Sequence, residues 1–141
     1  MHYTAMFSPD GDGFVVTFPA IPEAITGGAT EAEALANAAD ALEVALLTYA
    51  LDGRALPEDQ RPRGSGRHCR VPVSAAVAAK VAFIDAFRAS GMTRVALAAK
   101  LGKAESEVRR MLDPYHATKL ATIEGGLLAL GKRLVVSVEA A

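Results

Sequence analysis

Two hydrophobic periods divide the chain. Tyr3, Ala5 and Phe7 alternate with more polar neighbours, the period of a half-buried strand. Pro9 to Gly13 (PDGDG) reads as a turn, because proline fixes one dihedral and Asp-Gly tolerates unusual ones. An apolar, β-branched run then resumes at Phe14 and stops at Pro19, so the two runs predict a β-hairpin. AITGG, Ala24 to Gly28, predicts a short third strand. Thr30 and Glu33 form a T-x-x-E capping box, the signal of a helix start. Leu35, Ala38, Leu42, Ala45, Leu46 and Tyr49 follow at helical spacing, and Gly53 is a plausible stop. Together they predict one long helix, about Glu31 to Asp52, laid on a small sheet.

Gly53 to Arg67 is rich in glycine, proline and charge, and reads as a loop or linker. HCRVPV, His68 to Val73, predicts a further strand, with Pro72 placing it at a sheet edge or at a strand end. From Ser74 the period becomes helical. Val77, Val81, Ile84 and Phe87 make one stripe, with Ser74 as N-cap and Gly91 as stop. Leu120, Ile123, Leu127 and Leu130 predict an inward stripe on a last helix. Leu134, Val136 and Val138 alternate, predicting a terminal strand over Arg133–Glu139. The expected fold class is α+β. A β-β-β-α-β domain over residues 1–73 precedes a mainly helical domain over residues 74–141. Gly125–Gly126 is an oddity, costing about 1 kcal/mol per glycine against alanine in a helix.

Between Met92 and Asp113 the spacing is more specific. Counting from Arg94, Leu97 is fourth, Ala98 fifth, Leu101 eighth, Gly102 ninth, Val108 fifteenth and Met111 eighteenth. A helix-turn-helix needs a small fifth residue for close helix approach and a glycine ninth for the tight turn. Apolar residues at the other places seal the pair onto a core. Lys103, at the usually apolar tenth place, departs from this pattern, although its aliphatic stem could cover the turn. With this stretch at its centre, the chain resembles the lambda-repressor/Cro-like DNA-binding domain over roughly Ser74 to Leu130. The second helix would then read the major groove. Its outward side carries Glu105, Ser106, Arg109 and Arg110, while Lys100, Lys103 and Lys119 could hold the phosphate backbone.

Charge fits two partners. Met1 to Gly66 has ten acidic and three basic residues, a balance of −7; Arg67 onward has six acidic and twelve basic, +6. The basic half suits a polyanion and the acidic half a basic protein. With 51% hydrophobic and 22% charged residues, the chain reads as folded rather than disordered. No apolar run approaches the roughly 18–20 residues of a membrane span. No signal peptide is recognised and the one cysteine, Cys69, has no internal partner, so a bacterial-type cytoplasmic location is expected. Asp10 and Asp12 sit where glycine turns favour aspartate, and His68–Cys69 point to opposite faces of a strand. Neither pair suggests a metal, and no cofactor is expected.

Pro9 to Leu42 resembles the HicB antitoxin family. The shared features are the Asp/Gly hairpin turn, the strand ending in Phe18-Pro19, Ile21-Pro22, the T-x-G before the helix, and E-A-L-x-N-A within it. Where family members often carry F-P-D-L-P-G-C, this chain has Phe18, Pro19, Ala20, Ile21, Pro22, Glu23 and Ala24. The resemblance implies a degenerate RNase-H-like first domain that covers a small basic HicA-type mRNA-cleaving toxin. It also implies a second domain that binds operator DNA, and no enzymatic activity. The expected toxin contacts are Asp10, Asp12, Phe18, Pro19, Ile21, Pro22 and Glu23. Leu134, Val136 and Val138 are expected to join a homodimer or higher oligomer. Two other readings are open: a ligand-sensing regulator with no toxin partner, and a metal-dependent nuclease.

Overall fold

The computed structural model describes residues 1–64 and 66–141. The first half is a four-stranded antiparallel sheet in the order β3-β2-β1-β4, built from β1 (His2–Asp10), β2 (Gly13–Thr17), β3 (Ile25–Gly28) and β4 (Arg67–Pro72). Asp10 pairs with Gly13, so the β1–β2 turn is a two-residue loop in which Gly11 has φ +57°. That is the left-handed conformation which glycine adopts without a Cβ penalty. β4 is an edge strand, which suits its terminal proline.

One helix, α1 (Glu31–Leu51), covers one sheet face. Thr30 caps it, its hydroxyl accepting from the Glu33 amide at 3.1 Å. Ala34, Ala38, Leu42, Leu46 and Tyr49 are buried against Tyr3, Ala5, Phe7 and Val16. Small residues permit close approach: a Cβ added to Gly28 would lie 2.5 Å from the Ala34 nitrogen. By length and composition α1 is apolar enough to cross a membrane, with a mean hydropathy of 1.3. The expectation that no segment approached that size was therefore too strong. Leu35, expected on the inner stripe, is 43% exposed. It lies in the helix's first turns, on a flank of the buried face.

The second half is helical: α2 (Ala75–Ser90), α3 (Arg94–Leu101), α4 (Glu105–Met111) and α5 (Leu120–Ala129). Val81, Phe83, Ile84, Leu97, Val108, Ile123 and Leu127 form its core, continuous with that of the first half. Leu120, expected inward, is 49% exposed at the start of α5. Gly126 sits against Phe83, where an added Cβ would lie 2.6 Å from the ring. The oddity is thereby half explained: Gly126 lets α5 approach α2, whereas Gly125 faces open space.

One expectation needs correction. The strand expected over residues 133–139 is not formed. A strand needs a ladder partner for its amides and carbonyls, and here none of the described strands pairs with it. The described residues between Gly53 and β4 form the expected loop, and within it residues 56, 57 and 59 are tied to β1 and α2. Asp59 accepts from the Thr4 amide at 2.7 Å and the Thr4 hydroxyl at 2.9 Å. β2 reaches only as far as Met6 along β1, so this carboxylate occupies ladder positions that β2 leaves free. The Leu56 amide donates to Asp85 on α2 at 3.1 Å.

The Tyr3 hydroxyl donates to the Pro57 carbonyl at 2.8 Å. Burial pushes its pKa up, and the charges of Asp59 and Asp85 add to the effect. The folded state therefore holds this proton above the unfolded value of about 10. The stabilisation is full below that value and is lost as pH rises through the raised folded one. Denaturant titrations between pH 9 and 11.5 are expected to show stability falling with pH, with a shallower fall for Tyr3→Phe. An identical slope in the variant would remove Tyr3 as the cause.

Candidate functional site

Three surfaces carry unusual chemistry. The first is the α3–α4 pair. Thr93 caps α3, accepting from the Ala96 amide at 3.1 Å, and Gly102 ends it with φ +64°. The chain can then reverse sharply into α4. Leu97 and Val108 are fully buried, Ala98 and Met111 nearly so, which fixes the two helices on the core. Ser106, Arg109 and Arg110 are exposed on α4, and Glu105 is half-buried.

Glu105 is oriented by its neighbours. Its carboxylate lies 3.2 Å from the Arg109 guanidinium, one helical turn on, and 3.9 Å from that of Arg94. Lys103 lies 3.8 Å from Glu107, which gives the residue at the departing tenth position a polar partner one turn away. Lys103, Arg110 and Lys119 line a shallow cleft of about 240 Å³ together with His116 and Thr122. Lys100 is exposed on the last turn of α3 and does not line that cleft.

Lys80 was not singled out by the sequence. It is 5% exposed on α2, and its ammonium donates to the Met111 carbonyl at 2.9 Å and the Thr118 hydroxyl at 2.5 Å. Met111 is the last residue of α4, so a cation meets a carbonyl that the helix leaves unsatisfied. Burial pulls the Lys80 pKa down, and the charge of Asp113 opposes this. Among aliphatic neighbours at helical spacing, nothing local marked this lysine as buried.

The second surface is the outer side of α1 with the segment before β3. Glu23 accepts from the Tyr49 hydroxyl at 3.0 Å and from Arg54 at 3.0 Å, and the Arg54 guanidinium stacks 3.8 Å from the Tyr49 ring centroid. The backbone amide of Glu23 and these two partners hold its carboxyl below the usual range. Pro22 and Glu23 are exposed, and Pro19 is half-buried. Phe18 and Ile21 lie in the core at 1% and 0% exposure. Asp10 and Asp12 stand exposed at the β1–β2 turn.

The third surface is the sheet face turned away from α1. Thr4 pairs with Arg70 and Met6 with His68, so these side chains share that face. Arg61, His68 and Arg70 line a cleft there of about 510 Å³. Among the described residues no group of three or more His, Cys, Asp or Glu could hold a metal ion. Burial raises the pKa of the Cys69 thiol, the opposite of activation. In the terminal segment Leu134 is half-buried, while Val136 and Val138 are 68% and 97% exposed. Glu139 lies 2.7 Å from the His2 imidazole.

Comparison with known proteins defines the class. Residues 2–82, which span the whole sheet, α1 and the first half of α2, match the model of a family described as HicB-like antitoxin of bacterial toxin–antitoxin systems. Antitoxin HicB 2 of Photorhabdus laumondii is 41% identical over 134 residues, covering 95% of this chain and 94% of that protein. Antitoxin HicB of Escherichia coli K12 is 37% identical over 95% of this chain and 96% of its own length. Antitoxin HicB of Pseudomonas fluorescens is 39% identical over 86% and 82%. The chain belongs to the HicB antitoxin family. It is thus an antitoxin of a bacterial toxin–antitoxin system and not an enzyme, and antitoxin function implies a toxin partner.

Proposed function

We propose that this antitoxin has two separable activities. A first domain, residues 1–73, of degenerate RNase-H-like type, covers the active site of a HicA-type mRNA-cleaving toxin. A second, residues 74–141, uses a helix-turn-helix to bind operator DNA and so regulates its own operon in the cytoplasm. The observation that carries the DNA reading is the tight α3–Gly102–α4 turn with exposed Arg109 and Arg110 on the second helix. Arg109 has a carboxylate to exchange for guanine or phosphate, while Arg110 shares a cleft with Lys103 and Lys119. The toxin reading is supported by the antitoxin family and by the −7 balance of the first 66 residues, which suits a protein that must itself grip RNA.

The terminal segment supports a homodimer. Val135, Val136 and Val138 are exposed on a stretch with an alternating pattern and no partner strand among the described residues. Pairing this segment across a two-fold axis would satisfy its backbone and set two α4 helices about one DNA turn apart, roughly 34 Å.

Replacing both Arg109 and Arg110 with alanine is expected to cost about 1–3 kcal/mol of operator affinity for each arginine that reads a base, or to flatten the salt dependence if they bind phosphate. The exposed sites leave the fold intact. The check is an operator gel shift at fixed salt, paired with growth rescue in cells expressing the toxin. Rescue should persist while the shift disappears. Unchanged operator affinity would mean that α4 is not the reading helix.

A further inference from the structure

We infer that the toxin partner docks on the outer face of α1, in the groove which this helix forms with the Glu23–Ile25 segment. The inference rests on the toxin reading above and adds where on the first domain the contact is made.

The helix is more apolar than the fold requires. Only a third of its apolar stretch is buried, although its hydropathy would suit a core segment. The surplus is gathered. Val44, Thr48 and Leu51 follow one another at helical spacing on the solvent side, Val44 at 63% and Leu51 at 59% exposure. Ile25, the first residue of edge strand β3, adds a third large apolar group at 64%. Single exposed apolar residues need no explanation, but a row of them beside a concavity does. Val44, Thr48 and Ile25 line a groove of about 320 Å³ whose wall is the Glu23–Tyr49–Arg54 network. That network fixes three side chains before any partner arrives, so less ordering remains for association.

Charge identifies the occupant. α1 contains no lysine or arginine, and Glu33 and Asp40 are exposed on the same side, with Asp52 exposed just beyond the helix. Within the groove, the charge of Arg54 is matched by Glu23. An apolar strip with an acidic rim suits a basic protein and repels both an anionic bilayer and a second copy of itself. The cleft on the other open face of this half, the outer face of the sheet, has the wrong sign. It presents Arg61, His68 and Arg70, while the nearby carboxylate of Asp59 is committed to Thr4. Phe18 and Ile21 lie in the core and so form no part of the docking surface.

The test uses the 141-residue chain and, as probe, a small basic HicA-type toxin carrying an inactivating substitution and purified separately. Binding is titrated calorimetrically for wild type, Val44→Lys, Leu51→Lys and, as a control on the opposite face, Arg70→Glu. Each lysine is expected to weaken binding by about 30- to 1,000-fold, the range of a central interface residue. Arg70→Glu should stay within about threefold of wild type, and all variants should keep the wild-type melting temperature and operator shift. Wild-type affinity in both lysine variants would overturn the docking site. A wild-type chain that binds no such protein would overturn the toxin reading itself. If the lysines leave toxin binding intact but abolish flotation with phosphatidylglycerol vesicles, or turn a dimer into a monomer, the groove belongs to a lipid surface or a second copy and the inference fails.

Discussion

Gly126→Ala is expected to destabilise the fold by about 1–3 kcal/mol, the cost of forcing a methyl group into a packed core. Gly125→Ala, one residue away, is expected to stabilise it by about 1 kcal/mol. Helix propensity alone predicts the same gain at both positions. The difference comes from packing. A Cβ at Gly126 would stand 2.6 Å from Cε2 of Phe83 and 3.1 Å from the Met111 methyl; at Gly125 it would meet nothing within 4 Å. Met111 can yield, but Phe83 is fully buried and has nowhere to turn. Urea denaturation of both variants, with unchanged m-values, checks the pair. A gain at both sites would mean that α5 has room to move off α2.

Lys80→Ala is expected to cost on the order of 2–4 kcal/mol, from the missing packing of the stem and from two acceptors left without a donor. Lys80→Met separates these contributions. It retains most of the stem but leaves the Met111 carbonyl and the Thr118 hydroxyl without the ammonium, so about 1–3 kcal/mol of the loss should remain. The same variant should speed amide exchange at the end of α4 more than in α1, because the lysine joins α2 to the last carbonyl of α4 and to the residue before the Lys119 cap of α5. A methionine variant as stable as wild type would show that desolvating the ammonium cancels what its hydrogen bonds contribute.

The elements that were legible are those set by local rules. The Asp/Gly turn, the Thr30 cap of α1, and the glycines that end α2 and α3 each act within four residues, and each is found where the sequence puts it; of the capping box, the bond from the Glu33 amide to the Thr30 hydroxyl is the half that forms. What was not legible depends on partners far along the chain. Thr4 finds Asp59 across 55 positions, and Lys80 finds Thr118 across 38. Neither pair leaves a period behind. Phe18 and Ile21 belong to the motif that marked the family, yet their side chains are core, since a shared motif reflects packing as readily as contact. The terminal run alternates as a strand would, but alternation cannot supply the neighbour with which a strand must pair.

The ties made by residues 56–59 change how events in one half are felt in the other. A free tether of about 15 residues would span roughly 20 Å on average and let its ends wander independently. Here Leu56 is held by α2, and the carbonyl of Pro57 and the carboxylate of Asp59 are held by β1. Residues 56–59 therefore act as a clasp between α2 and β1 rather than as part of a leash. A protease that needs an extended, unanchored strand of substrate would first have to break these bonds to cut between residues 56 and 59.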